Sequence, residues 1–234
     1  MVEGGGTAQT AGTLRLGLLL AAAGGFLDAF TYVGHGGVFA NAQTGNVVLL
    51  GVFAAKGDWA AALRHLPPLL AFFLGVFTAE TMRHPQLEAL LRRPFRAALV
   101  AEIVVLAVIG ALPDSFADTA IVLLVAFTAA LQNATFSTVH GWSVNTTITT
   151  GNLRTASRAL YRALFRHEPR AGEQAGVFGG ICLAFLIGAG LGALVTAHIR
   201  NHAAWVAAGA LVLALLMFVI DEHRPVRSVP SDPE

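Results

Sequence analysis

The chain has 234 residues, of which 55% are hydrophobic and 12% charged, with a mean hydropathy of +0.65. A soluble domain carries about twice that share of charge, so the composition excludes a polar-surfaced globule and fits a protein embedded in a membrane. A net charge of +1 excludes a strongly basic nucleic-acid binder, and a single cysteine, Cys182, excludes a disulfide framework or a thiolate metal centre.

Residues 1–13 are small, polar and Gly-rich, and are expected to form a disordered tail. A crossing helix needs about 20 mostly apolar residues. Six stretches approach that length: 14–33, 66–83, 96–112, 117–139, 175–198 and 203–220. Pro67 and Pro68 open the second, where proline is tolerated in a first helical turn. Asp114 and Asp118 mark a short turn between the third and fourth. Residues 221–234 form a polar tail. Counting six crossings from a cytoplasmic N-terminus puts Arg15, Arg83, Arg92, Arg93, Arg96, the arginines from Arg154 to Arg170, Arg224 and Arg227 on one side. Only Lys56, Arg64 and Arg200 fall on the other. That asymmetry predicts both termini in the cytoplasm.

The chain repeats itself. Asp28-Ala29 matches Asn133-Ala134, and His35-Gly36 matches His140-Gly141. One inserted residue later, Thr44-Gly45-Asn46 matches Thr150-Gly151-Asn152. Leu70-Ala71-Phe72 and Gly75 match Leu183-Ala184-Phe185 and Gly188, and Ala97-Ala98 matches Ala203-Ala204. The order predicts two membrane repeats, 14–113 and 114–220, of three crossings each. An odd number of crossings inserts the second repeat upside down. Inverted repeats with interrupted helices recur in transporters, whose sites lie between the repeats near mid-membrane.

Each repeat carries a polar, Gly-rich stretch after its first helix, ending in Thr-Gly-Asn. Thr44 and Thr150 are expected to cap the following helices, with Gly45 and Gly151 permitting close backbone approach. The first of these helices is apolar, and residues 45–57 could re-enter, lie flat or cross. The second carries Arg154, Arg158, Arg162, Arg166 and Arg170 every fourth residue, the pattern of an in-plane helix anchored on anionic inner-leaflet lipid.

Irregular backbone within a membrane is tolerated only where protein or a water-filled cavity covers it. Asp28, Asn41, Thr44, Gly45, Asn46, Gln132, Asn133, Thr150, Gly151 and Asn152 are therefore the expected lining of a central polar site. A carboxylate within a span costs several kcal/mol unless paired or hydrated, which makes Asp28 the leading proton or cation ligand, faced by Asn133. Glu102 is a second intramembrane acid, near enough to Arg92, Arg93 and Arg96 for an interfacial pairing. His35 and His140 are candidate gating groups, Glu80 and Arg83 an ordinary helix pair. Gly176, Gly180, Ala184, Gly188 and Gly192 form a small-residue seam, for packing between the halves or between copies of the chain.

No nucleophile-elbow, zincin, Walker A or C-x-x-C motif is present, so no enzyme, metal site or cofactor is expected. The stretch GGFLDAFTYVGHGGVFANAQTGNVVLLG, then LQNATFSTVHG and TTITTGNLR, resembles the YoaK-like bacterial membrane proteins, a family of unknown function. The resemblance runs from about Leu14 to Ile220 and implies a bacterial inner-membrane protein of about six helices with no assigned substrate. The expected fold is an all-α membrane protein of two inverted three-helix repeats. The expected role is transport of a small solute or ion. A scaffold or sensor, in which Asp28 and the Thr-Gly-Asn turns only hold helices together, is the alternative.

Overall fold

The computed structural model describes residues 13–84, 94–136, 138–139 and 141–222. Residues 1–12 and 223–234 of the two tails, Arg92, Arg93 and His140 lie outside these residues, and expectations about them with them. The elements in chain order are α1 (Leu14–Gly34), α2 (Gln43–Ala55), α3 (Trp59–Leu63), α4 (Leu66–Met82), α5 (Pro94–Ala111) and α6 (Asp118–Thr135). A two-residue hairpin follows, β1 (Thr138–Val139) with β2 (Trp142–Ser143), pairing Val139 opposite Trp142. Then come α7 (Thr149–Tyr161), a π-helical turn at Arg162–Arg166, α8 (Ala171–Ile199), a 3-10 turn at Arg200–Ala203, and α9 (Ala204–Glu222).

The protein is helical, and among the described residues four stretches are long and apolar enough to cross a membrane: Leu14–Gly34, Trp59–Met82, Asp118–Thr135 and Ala171–Ile220. The last, at 50 residues, contains both α8 and α9, broken by the 3-10 turn. Besides these, α5 supplies 18 mainly apolar residues. The helix α2 has 13 residues and rises about 20 Å, short of the roughly 30 Å of a hydrocarbon core. Its only buried residue is Asn46. Gly57, at φ +76°, reverses the chain after it, and Asp58 caps α3 by accepting from the Ala61 amide at 3.0 Å.

Two of the expected boundaries move. The fourth apolar stretch ends as helix at Thr135 rather than 139, because the hairpin takes over; Val139, fully buried, fills the space left by the missing side chain of Gly17. The arginine stripe is also interrupted. The α-helix stops at Tyr161, Arg162 turns inward to Glu168 and Gln174, and Arg170 sits at φ +63° as the N-cap of α8, its guanidinium over the Trp142 ring. Arg154, Arg158 and Arg166 remain exposed, beside exposed Leu153, Leu160, Leu164 and Phe165.

The core is built on two intimate helix pairs, α1 with α8 and α4 with α6, while α5 packs on both α9 and α6, and α9 also on α1. Small residues set the close approaches. A Cβ on Gly188 would stand 1.9 Å from the Ala22 carbonyl oxygen, and one on Gly75 would stand 2.5 Å from that of Phe127. Gly192 is equally tight against Phe26, at 2.5 Å, so the expected seam exists over its C-terminal half; Gly176 faces open space. Without a hydrophobic drive between helices in lipid, such contact distances supply the packing energy.

Gly188→Ala should therefore destabilise by about 1–3 kcal/mol, because the clash is with backbone rather than a movable side chain. Gly190→Ala meets nothing within 4 Å and should be neutral or stabilising. Thermal unfolding of the two variants in detergent measures the contrast.

Candidate functional site

A chain that turns back inside an apolar environment must find partners for the amides it withdraws from the helix. Between α1 and α2 the loop residues find them in side chains. The Ala40 amide donates to Thr31 Oγ1 at 3.1 Å, and the Asn41 and Ala42 amides donate to Asp28 Oδ1 at 2.6 and 3.3 Å. The Phe39 amide donates to Asn46 Oδ1 at 3.0 Å, and Asn46 Nδ2 donates back to the Phe39 carbonyl at 2.7 Å. His65 Nδ1 adds a contact to the same Asn46 oxygen at 3.3 Å and its ring stacks on Phe53. Four successive loop amides are thus held by three side chains.

The second loop uses the same asparagine clamp. Asn152 Oδ1 accepts from the Asn145 amide at 3.4 Å, and Asn152 Nδ2 donates to the Asn145 carbonyl, again seven residues back. Counted from each Thr-Gly-Asn, residues 41–42 correspond to 147–148. The latter amides donate not to Asn133 but to Asn145 Oδ1, at 2.9 and 2.8 Å. Asn133 is released to line an open groove of about 300 Å³ with Asn145, Gly151, Asn152, Arg154 and Phe178.

The threonines are not the caps expected of them. Helices α2 and α7 begin two residues earlier than such caps would set them, after Ala42 and Ile148, neither of which makes a side-chain cap. Thr44 and Thr150 lie within the first turn and are exposed. The asparagine two residues on is what fixes each turn. Gly45 does provide the close approach: a Cβ there would lie 2.9 Å from the Phe39 ring, whereas Gly151 meets nothing within 4 Å.

The two loops meet at Gly24 of α1. Asn41 Nδ2 donates to the Gly24 carbonyl at 3.3 Å, and a Cβ on Gly24 would stand 3.2 Å from Thr147 Cγ2 and 3.3 Å from the Thr146 carbonyl oxygen. Around this junction lie three buried oxygens with no hydrogen-bond partner among the described residues: Asp28 Oδ2, Asn41 Oδ1 and Thr146 Oγ1. Asp28 is 4% exposed, Asn41 0% and Thr146 1%. Sequence reasoning missed Thr146, whose hydroxyl has no counterpart at Ala40; the polar run Asn145-Thr146-Thr147 was the available signal. Gln132 is buried as well. Asp28 reaches its own loop and not Asn133, because the Asn41 and Ala42 amides are the nearer donors.

The chain matches, over residues 16–217, the model of a family described as protein of unknown function, DUF1275. It belongs to the DUF1275 family. No curated protein and no solved structure matches the chain. The matched residues of the DUF1275 chain include both loops, both asparagine clamps and the Gly24 junction.

Two further acids and a histidine complete the inventory. Glu102 is 1% exposed on the buried face of α5, with Leu99, Leu106 and Ile109. The expected pairing with Arg96 is not made; that guanidinium lies over the Phe218 ring at 5.5 Å, and Glu102 Oε2 has no hydrogen-bond partner among the described residues. Glu80 and Arg83 do pair, at 2.5 Å. His35, just past the end of α1, bonds through Nδ1 to Asp118 Oδ1 at 2.9 Å. Among the described residues no cluster of three His, Cys, Asp or Glu could hold a metal ion.

Because Asn46 closes two hydrogen bonds on the Phe39 peptide, Asn46→Ala should cost about 1–3 kcal/mol by leaving those groups unpaired. Asn46→Asp keeps the acceptor but loses the donor, and should fall between. Melting temperatures of the three proteins, ordered wild type, Asp, Ala, are the expected result.

Proposed function

We propose that the protein is a bacterial inner-membrane transporter or channel for a small solute or ion, built from two inverted three-helix repeats around the Gly24 junction. The observation that carries the reading is the trio of buried oxygens without partners, Asp28 Oδ2, Asn41 Oδ1 and Thr146 Oγ1, where two irregular loops meet. Polar atoms withdrawn from water and left unpaired cost free energy, and a bound ion, solute or water recovers it. Asp28 supplies the charge, Asn41 and Thr146 neutral oxygens.

The repeat is supported by packing. Exchange α1 with α6, α2 with α7, α4 with α8 and α5 with α9, and each main helix pair maps onto another: α1–α8 onto α6–α4, α5–α6 onto α9–α1, α5–α9 onto itself. The closest approaches obey the same exchange. Gly188 against Ala22 becomes Gly75 against Phe127, at the spacing that relates Asp28 to Asn133. In this reading α1, α4, α5, α6, α8 and α9 cross the membrane, and both termini are cytoplasmic. The helices α2 and α7 lie at opposite surfaces, with Arg154, Arg158 and Arg166 beside exposed leucines to meet anionic lipid.

One observation favours the scaffold or sensor reading instead. Asp28 Oδ1 is saturated by two loop amides, so part of this carboxylate serves as a staple. Asp28→Asn separates the readings, since the amide retains the Oδ1 acceptor and removes the charge. A thermal-shift screen against ions, organic anions and metabolites should find a ligand that stabilises the wild type and not Asp28→Asn. The same ligand should enter vesicles reconstituted with the wild type only. A variant that melts earlier under every condition, with no ligand distinguishing the two, overturns transport in favour of the scaffold.

A further inference from the structure

Between α6, the second loop and the start of α7 lies the open groove of about 300 Å³ that Asn133 lines. At about 30 Å³ per water, this is room for roughly ten waters, or for a small ion with part of its hydration. Buried Val144 and Phe178 form its floor, half-buried Asn133 and Asn145 its walls, and exposed Gly151 and Arg154 its rim.

We propose that this groove binds a phosphate group, with Arg154 supplying the charge and Asn133 and Asn145 the neutral donors. The lining decides the sign of the ligand. Among the described residues Arg154 is the one charged group that lines the groove, so no acid in the lining cancels it. It makes no hydrogen bond or ion pair among the described residues.

Asn145 decides the hydrogen-bond polarity. Its Oδ1 accepts from the Thr147 amide at 2.9 Å, the Thr147 hydroxyl at 3.1 Å and the Ile148 amide at 2.8 Å. Two backbone donors on one atom fix it as the oxygen, so the other end of this amide is the Nδ2 donor. That Nδ2 has no acceptor among the described residues. Asn133 makes no hydrogen bond there either, because Asn145 takes the loop amides that Asp28 takes in the first loop. Other polar side chains of the lining are spent. Asn152 closes both ends of its amide on the Asn145 peptide, and Thr155 Oγ1 donates to the Gly151 carbonyl at 3.0 Å. What is left is a cation, open donors and no acid, and that combination fits an oxyanion.

The first turn of α7 adds to the same field. It holds no acid and no side-chain cap, and a Cβ on Gly151 would meet nothing within 4 Å, so the dipole acts on the groove unopposed. A guanidinium takes two phosphate oxygens in parallel and leaves further oxygens for the two amides. A halide or a carboxylate offers fewer. The same chemistry serves a soluble phosphate and the headgroup of an anionic lipid.

The test is isothermal titration of the purified full chain in non-ionic detergent with inorganic phosphate, at constant ionic strength in chloride. Saturable binding is expected. Arg154→Gln, at an exposed position, should weaken it about tenfold or more, and Asn133→Leu, which removes an amide without a partner in the protein, by roughly tenfold. Arg158→Gln, one turn on and outside the groove, should change it less than about twofold, since its charge acts through screening solvent. Phosphatidylglycerol replacing phosphatidylcholine in the micelles then reports the source. Displacement of phosphate assigns the groove to a lipid headgroup, and no displacement assigns it to a soluble phosphate. No saturable phosphate binding, or a loss in Arg158→Gln as large as in Arg154→Gln, overturns the proposal. Asp28→Asn should leave phosphate binding intact, so failure here and failure of the transport reading are told apart.

Discussion

The structure turns on one requirement: a loop that folds back against α1 at Asp28 must have its amides satisfied without water. Asp28, Thr31 and Asn46 meet that requirement together, taking the amides of residues 39 to 42 in succession. This fixes where α2 starts and keeps it from continuing α1. It also brings Asn41 against Gly24, and so determines what the second loop meets there. A carboxylate suits the task because an ionised acceptor makes shorter and stronger hydrogen bonds than a neutral one. One of its two oxygens is used in this way. The other is buried without a hydrogen-bond partner among the described residues, which is why a single residue carries both the architecture and the proposed chemistry.

The two loops share a clamp and divide the chemistry. Each loop is closed by an asparagine reaching seven residues back, yet the next two amides are taken by a carboxylate on the helix in one case and by Asn145 within the loop in the other. The change frees Asn133 and confines negative charge to one side of the junction. His35 reaches across the sequence in the same way, tied to Asp118 at the head of α6. In the proposed reading, that asymmetry inside a symmetric frame gives a polar site a direction.

Much of this was legible in the sequence. The apolar runs predict α1, α4, α5, α6, α8 and α9 to within a few residues, because a lipid-facing helix needs little beyond length and composition. Asp28 and the two Thr-Gly-Asn turns stood out as polar residues in costly places. Cap identity was not legible: Thr44 has the right chemistry for a cap, but the clamp by Asn46 starts the helix two residues sooner. Nor was the hairpin at Thr138–Ser143, which is too short to carry periodicity, or the π-helical turn that ends the arginine stripe. The His35–Asp118 bond joins residues 83 apart, and no local pattern announces it. Glu102 was read as interfacial from its distance in sequence to three arginines, whereas its place on the buried face of α5 depends on α9 packing there.

The most direct measurement is a cysteine pair across the junction. In a Cys182→Ser background, Gly24→Cys and Thr147→Cys would bring a side chain of α1 and one of the second loop into contact, since the Gly24 Cβ position lies 3.6 Å from Thr147 Cα. A disulfide needs Cβ atoms about 3.5–4.5 Å apart. With a protease site inserted between residues 84 and 94, mild oxidation should hold the two fragments together on a denaturing gel until reductant is added. Fragments that separate after oxidation, from a protein whose cysteines both react once it is unfolded, would contradict the seating of the second loop on α1 at the junction.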